Sequence, residues 1–418
     1  VFFQNVAQGA KRRKGEGTMA TKVFTFLGYT PQDRPYRPTT YVFQGMEHFS
    51  PFMSEAAVHF FRPDHLLVLV TQEAKGQNFA DLQNNLAGII NPQPVDIPSG
   101  QNEQELWEIF DAIANRIEKD DTIIFDITNG FRSLPILAFL AASYVRLVRD
   151  ATVKQMVYGA YDAKDNEQNR TPVFDLTPFL TLLDWTAATN IFLKSGRAAD
   201  LSALLRNGLA SSQDAFEPLA NRLETLSLAL HTSRPAKVLQ AANKLNEDIS
   251  QAKPQVAGGA MPFGLLLDKI NAEYSVFGLD EPMNKQNAGQ VLERLLKIIA
   301  WYVDKDLLIQ AMTLSREWLI SLVVYYLGGD LYDNGDRKKA EQVIFNYGKD
   351  KSAPDQTLAT ILPDILTIWS EVEPDDMQAR DLRNDIAHCG MRRNPREPEE
   401  VAQRVRSICN ELQKLLPS

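Results

Sequence analysis

The chain has 418 residues, of which 44% are hydrophobic and 23% charged; this excludes a disordered or fibrous protein and suggests two or three domains. Forty-four Lys and Arg stand against 53 Asp and Glu, a net charge of −9, so the protein does not coat nucleic acid by bulk charge and any contact with a polyanion is a local patch on an acidic body. Two cysteines, Cys389 and Cys409, exclude a disulfide framework and a Cys-rich zinc site.

Residues 1–18 read as a leader preceding a natural start at Met19. The leader holds Lys11, Arg12, Arg13 and Lys14 against Glu16, so the body without it carries −12. A basic arm that touches nucleic acid is the other reading of the same run. The most apolar stretch, residues 318–327, is interrupted by Ser321 and is far short of the roughly 20 residues a membrane-spanning helix needs. A cytoplasmic protein is expected.

From residue 22 to 176, strand-like and helical patterns alternate. Strands are expected at 23–27, 66–70, 122–127, 153–158 and 173–176, with helices at 103–116 and 136–148. Runs such as Leu66-Leu67-Val68-Leu69-Val70 are apolar on both faces, the mark of a parallel sheet covered by helices on both sides. The expected fold is therefore α/β, a Rossmann-like doubly wound parallel sheet, with ligands in the crevice at the C-terminal strand ends. After Thr177-Pro178 the pattern turns all-helical. Residues 254–259 read as a linker or long loop. Helices are expected at 307–327, 337–347, 358–369, 376–388 and 399–416.

The strongest local feature of the first half is Asp126-Ile127-Thr128-Asn129-Gly130-Phe131-Arg132-Ser133-Leu134-Pro135. A strand runs into polar residues and a glycine, then into a helix with proline in its first turn. Gly130 permits close backbone approach. Thr128 and Asn129 offer a hydroxyl and an amide, and Arg132 a planar fork. The helix start behind them favours anions. Gly28-Tyr29-Thr30 and Thr71-Gln72 follow two other strands and can share the same sheet edge. Together they suggest a pocket for a nucleotide-like anion, although the same residues also suit ordinary turns. No G-x-G-x-x-G follows the first strand and no Walker loop occurs, which disfavours the common dinucleotide and P-loop sites.

A second candidate lies near the C-terminus. Asp375-Asp376-Met377-Gln378 has capping-box spacing, and Gly390 supplies a stop. Between them, Ala379, Leu382, Ile386 and Cys389 form an apolar stripe expected to face the core. Arg380, Arg383, Asn384, Ala387 and His388 form another face, with two guanidiniums, an amide and an imidazole. Arg383 suits a developing phosphorane charge and His388 proton transfer near neutral pH. The run Arg392, Arg393 and Arg396 adds cations for an RNA backbone. Taken alone, this is equally a solvated helix face with a terminal histidine cap. His48, His59, His65 and His231 show no metal-ligand spacing.

The two motifs in this order carry a resemblance. The first half is similar to the CARF domain (CRISPR-associated Rossmann fold) of type III CRISPR accessory proteins, most closely the subgroup marked by D-x-T-H-G. That motif stands here as Asp126-Ile127-Thr128-Asn129-Gly130, and residues 174–185 resemble the segment that ends the domain. The helix bearing Arg383-Asn384 and His388 resembles the HEPN ribonuclease motif.

The resemblance implies 19–178 as a CARF sensor, 179–305 as a helical connector and 306–418 as an all-helical HEPN domain. It implies a homodimer that binds a cyclic oligoadenylate, cyclic tetra-adenylate favoured, and that cuts single-stranded RNA without metal at a composite site. Arg383 and His388 would carry catalysis, with Asn384 beside them. Thr128, Asn129, Gly130 and Arg132 map to the ligand loop, with Gly28, Tyr29, Thr30 and Thr71 placed by position. Arg380, Arg392, Arg393 and Arg396 would hold RNA, and Arg316 or Glu317 on the preceding long helix would contribute. No cofactor and no membrane are expected. Asn129 stands where the subgroup has His, which leaves binding possible but counts against cleavage of the ligand by an imidazole there. The alternative is a ligand-responsive regulator with a silent helical domain. A sensor-coupled DNA nuclease would need clustered carboxylates with a nearby lysine, and the second half shows no E-x-K grouping.

Overall fold

The computed structural model describes residues 20–30, 35–130, 133–207, 213–256, 261–369, 379–391, 393 and 395–416; at 207, 213–215, 255–256, 261–262, 369 and 379–381 the backbone alone is described. The chain forms two compact units, Val1–Thr181 and Leu182–Ser418.

The first unit runs β1 (Thr21–Leu27), β2 (Thr39–Phe43), β3 (Met46–Ser50), α1 (Met53–Phe61), β4 (His65–Val70), α2 (Gln72–Ala74), a π-helical turn (Lys75–Phe79), α3 (Ala80–Asn85), β5 (Gln93–Asp96), α4 (Glu103–Ala114), β6 (Thr122–Asp126), α5 (Leu134–Val148), β7 (Thr152–Gly159), a 3-10 turn (Tyr161–Ala163) and β8 (Arg170–Asp175). Its eight strands form one sheet in the order β3-β2-β8-β7-β6-β1-β4-β5.

Side chains of a strand alternate between faces, and here the alternation fills two apolar layers. Phe24, Phe26, Leu67, Leu69, Ile123 and Phe125 point to one face, where Ile109 and Ile113 of α4 and Ala138 and Ala142 of α5 cover them. Val23, Leu27, Leu66, Val68, Val70 and Ile124 point to the other, against Met53, Ala56 and Ala57 of α1 and Leu82 of α3. The sheet is thus doubly wound, as the two-faced apolar runs require.

The five strands β5-β4-β1-β6-β7 are parallel. β8, expected as a further parallel strand, is antiparallel to β7. The connection from Gly159 to Arg170 is too short for a crossover, so the chain returns as a hairpin. Two strands absent from the sequence reading, β2 and β3, pair with each other and extend the sheet beyond β8. They are inserted between β1 and α1. The strand order reverses between β1 and β6, because β1 is flanked by β4 on one side and by β6 on the other.

A helix, α6 (Thr177–Ser195), carries the chain into the second unit, which continues with α7 (Ala199–Asn207), α8 (Gln213–His231), α9 (Pro235–Val256), α10 (Met261–Tyr274), α11 (Ala288–Asp304), α12 (Leu308–Tyr326), α13 (Asn334–Asp350), α14 (Gln356–Trp369), α15 (Ala379–Ala387) and α16 (Pro398–Leu412). The expected linker at 254–259 is corrected in part. Pro254 sits in the last turn of α9, which buries Leu245, Ile249 and Ala252; that packing outweighs the hydrogen bond a helical proline forgoes. Residues 257–260 lie outside the described residues. One apolar core runs through the whole unit, from Trp185 to Leu415. Trp318 of α12 is fully buried in it and donates its indole N–H to the Leu292 carbonyl of α11 at 2.9 Å.

Among the described residues, no helix is long and apolar enough to cross a membrane. The leader, residues 1–18, lies outside the described residues.

Candidate functional site

The strand-order reversal puts the C-terminal ends of β1 and β6 side by side, and a cleft of about 760 Å3 opens there. Its lining includes Gly28, Tyr29 and Thr30 from the end of β1, Thr71 from the end of β4, and Thr128, Asn129 and Gly130 from the end of β6. Seven of the eight residues expected around a ligand therefore meet in one cleft. The eighth, Arg132, lies outside the described residues. Ile97, Pro98, Ser99 and Gln101, after β5, complete the far wall.

Asp126 anchors the floor. It is wholly buried at the end of β6, in register with Thr25 of β1. Thr25 Oγ1 donates to its Oδ2 at 2.6 Å, while Thr128 donates to its Oδ1 from the backbone N–H at 3.0 Å and from the hydroxyl at 2.5 Å. Desolvation raises the carboxyl above the usual aspartate range, and the hydrogen bonds from Thr128 and Thr25 oppose that rise. Thr128 Oγ1 in turn accepts from the Gly159 N–H at 2.8 Å. The Thr128 hydroxyl is thus engaged in both directions and fixes the loop, and Asn129 and Gly130 line the cleft beside it.

Besides the close backbone approach expected of it, Gly130 leaves room at its own helix start. A Cβ there would sit 3.0 Å from Pro135 Cδ and 3.3 Å from the Ile127 carbonyl oxygen, so the space it keeps open lies against its own helix start. Gly130→Ala is expected to destabilise the protein by about 1–3 kcal/mol through overpacking, read as a lower urea midpoint. An unchanged midpoint would show that the loop yields freely.

The β1 loop is held by residues that the sequence reading did not single out. Gln77 of the π-helical turn accepts from the Thr30 N–H at 3.0 Å and donates back to the Thr30 carbonyl at 2.5 Å, and Asn78 donates to the Gly28 carbonyl at 2.9 Å. π turns concentrate at functional sites because the extra residue re-aims side chains. Tyr36 accepts from the Gly28 N–H at 3.0 Å, and burial pushes its hydroxyl up to about 12, so it stays neutral. These contacts span 47 or more residues for Gln77 and Asn78 and have no local sequence signal, whereas Gly76 beside them breaks the helical pattern and marks the turn. Among the described lining residues the charged one is Glu73.

In the second unit, α15 packs on α12, α14 and α16 and presents the C-terminal candidate residues. Leu382 is fully buried and Ile386 packs against the core. Arg383 and Asn384 are half-buried, and Arg383 Nη1 donates to Asn384 Oδ1 at 3.1 Å. The helix ends as the His388 N–H donates to the Asn384 carbonyl at 2.9 Å, and His388 itself is exposed. Cys389, expected on the buried stripe, is exposed instead. The chain has left the helix by then: Cys389 and Gly390 adopt left-handed φ values of 55° and 62°, which close the end of the helix and turn the thiol outward. Arg393 is exposed and Arg396 half-buried on the segment that follows. Arg392, the side chain of Arg380 and the capping box at 375–378 lie outside the described residues. Arg316 and Glu317 join an α12–α13 network: Arg316 contacts Glu317 at 2.6 Å and Glu341 at 2.7 Å, and Arg337 bonds Glu317 and Ser321. Among the described residues, no group of three or more His, Cys, Asp or Glu is gathered as a metal site requires.

A doubly wound sheet with a polar cleft at its switch point defines the first unit as a Rossmann-like ligand-binding fold. Residues 22–162 match the family model for the CARF domain of the CRISPR system endoribonuclease Csx1, and residues 181–281 match that for the second domain of CRISPR-associated protein MJ1674. The first unit is thus similar to a CARF domain, and part of the second unit to a domain of another CRISPR-associated protein. Over 212 residues, 47% of its length, the chain is 28% identical to CRISPR-associated protein MJ1674 of Methanocaldococcus jannaschii. That match spans 32% of the relative, about a third of its length. Among solved structures, Enterococcus italicus Csm6 bound to cyclic hexa-2'-fluoro-hexa-dAMP superposes with a TM-score of 0.45 and 10% identity, covering 95% of this chain and 93% of that one.

Proposed function

We propose that this protein is a type III CRISPR accessory ribonuclease, switched on by a cyclic oligoadenylate bound at the switch-point cleft. One observation carries the reading: the candidate ligand residues of three separate strand ends converge on a single cleft in the unit that matches the CARF model. A cyclic oligoadenylate presents bases and phosphodiesters, which suit the amide of Asn129, the backbone of the β6 loop and Arg132. The same reading assigns 19–178 to the sensor, 179–305 to a connector and 306–418 to the HEPN domain.

Two copies of the chain are expected to act together, pairing both sensor and helical domains. A two-fold symmetric ring matches an isologous dimer, and binding shifts the pair toward a competent state by differential affinity. At the composite site, the 2′-oxygen of the RNA attacks the adjacent phosphorus and the 5′-oxygen leaves, giving a cyclic 2′,3′-phosphate and a new 5′-hydroxyl. His388 exchanges the proton, Arg383 stabilises the negative charge gathered on the phosphoryl oxygens, and Asn384 holds the Arg383 guanidinium. Arg380, Arg392, Arg393 and Arg396 would track the RNA backbone. The chemistry uses the RNA's own hydroxyl as nucleophile and calls for no metal.

The test is cleavage of labelled single-stranded RNA in EDTA, with and without cyclic tetra-adenylate. Cutting that needs the ring and survives the chelator is the expected result. Ring binding without cutting points to the regulatory alternative, and absence of response to any ring size overturns the proposal.

A further inference from the structure

The switch-point cleft does not end at Tyr36. A second cleft of about 420 Å3 adjoins it, with Thr30, Tyr36, Thr128 and Asn129 lining both. Most of its remaining wall, Pro35, Arg37, Tyr41 and Pro51, belongs to the segment inserted between β1 and α1 that also forms β2 and β3. The last wall is Tyr161, in the 3-10 turn after β7. The insertion therefore does more than widen the sheet. It builds a second compartment beside the first, within the size range of small-molecule sites.

The chemistry of the two compartments differs. The larger has Glu73 as its charged residue among those described, whereas the smaller has Arg37. Arg37 is exposed and pairs with no described carboxylate. Tyr161 is 42% exposed, and Lys164 Nζ sits over its ring, 5.1 Å from the centroid, so a base would stack on the opposite face with a second cation nearby. An exposed aromatic ring flanked by cations is the arrangement that takes a nucleobase and its phosphate.

We propose that the smaller cleft is a second nucleotide subsite, in which Tyr161 stacks a base and Arg37 meets the phosphate joining it to the nucleotide in the larger cleft. The proposal rests on the oligoadenylate reading above and deepens it, because each chain then holds two consecutive nucleotides. A ring shared by two copies is accordingly a tetra-adenylate.

Calorimetric titration with cyclic tetra-adenylate tests this. Tyr161→Ala removes one base stack in each copy, two per ring, and is expected to weaken binding about thirtyfold or more. Tyr161→Phe keeps the ring face and is expected to bind like the wild type, and Arg37→Ala to weaken binding with a shallower salt dependence. Both side chains are exposed or half-exposed, and thermal melting of each variant checks that the fold is intact. Wild-type affinity in Tyr161→Ala and Arg37→Ala overturns the subsite while leaving the oligoadenylate reading in place. Tyr161→Phe as weak as Tyr161→Ala also overturns it, since the hydroxyl rather than the ring face would then matter. A wild-type protein that binds no ring overturns the oligoadenylate reading itself.

Discussion

His388→Ala is expected to lower activator-dependent RNA cleavage by about a hundred- to ten-thousandfold, the usual contribution of a general acid or base. His388 is exposed where α15 ends, and its own N–H is tied to the Asn384 carbonyl, so its removal leaves the helix and the core beneath Leu382 untouched. A loss of rate without a change in melting temperature is therefore the informative outcome. Arg383→Ala is expected to cost about a hundred- to a thousandfold by removing a charge stabiliser. Arg383→Lys keeps the charge but not the planar fork held by Asn384, and an intermediate rate is expected. In the proposed mechanism the two groups act in one step, so the double variant should be little slower than the worse single one. Cleavage that persists in both single variants would remove α15 from the chemistry.

Asp126→Ala is expected to cost about 3 kcal/mol of stability and to abolish high-affinity activator binding. The substitution strands the Thr25 hydroxyl and the Thr128 N–H in a buried setting, each worth roughly 1–3 kcal/mol when unpaired. It also frees Thr128, the residue that ties the β6 loop to Gly159. Urea denaturation and ring titration together read both effects, and an Ala variant with wild-type midpoint and affinity would refute them. The carboxyl predicts a pH dependence as well. Its native value is raised, so the folded state binds the proton more tightly than the unfolded chain. Its contribution to stability is fullest below the ordinary aspartate value and declines as pH rises toward the native one. Asp126→Asn does not titrate and is expected to lack that decline. Parallel stability curves for the two proteins across this range would show that Asp126 is not the source.

The parts of the fold that were legible share one property: their burial is written in consecutive residues. β1, β4 and β6 are mostly apolar runs, β7 carries Met156-Val157-Tyr158 in its second half, and α12 is a long apolar helix whose expected and observed bounds differ by a residue at each end. β5 was not legible because Pro94 marks it as an edge strand, four residues long and exposed at all but Val95. β2 and β3 follow Pro31, Pro35 and Pro38, so that stretch reads as loop, and only pairing with β8, more than a hundred residues away, makes it sheet. The same distinction holds at the cleft. Thr128, Asn129 and Gly130 stand out because strand, turn and helix start adjoin in sequence. Tyr36 and Tyr161 line the clefts, and Gln77 and Asn78 hold the β1 loop, through tertiary contacts; Gly76 marks the π turn, but nothing beside these residues in the chain points to the cleft.

The continuous core of the second unit constrains how such a protein can be divided. Trp318 hydrogen-bonds the Leu292 carbonyl, and Arg406 pairs with Asp306 across a hundred residues. A cut after Lys305 would split that core, baring Val291, Leu295 and Ile299 on one fragment and Trp318, Leu322 and Val323 on the other. The proposed nuclease segment is therefore not a cassette that can be grafted alone onto another sensor. The smallest exchangeable block begins near α6, and a chimaera joined there should stay soluble where one joined at residue 305 should aggregate.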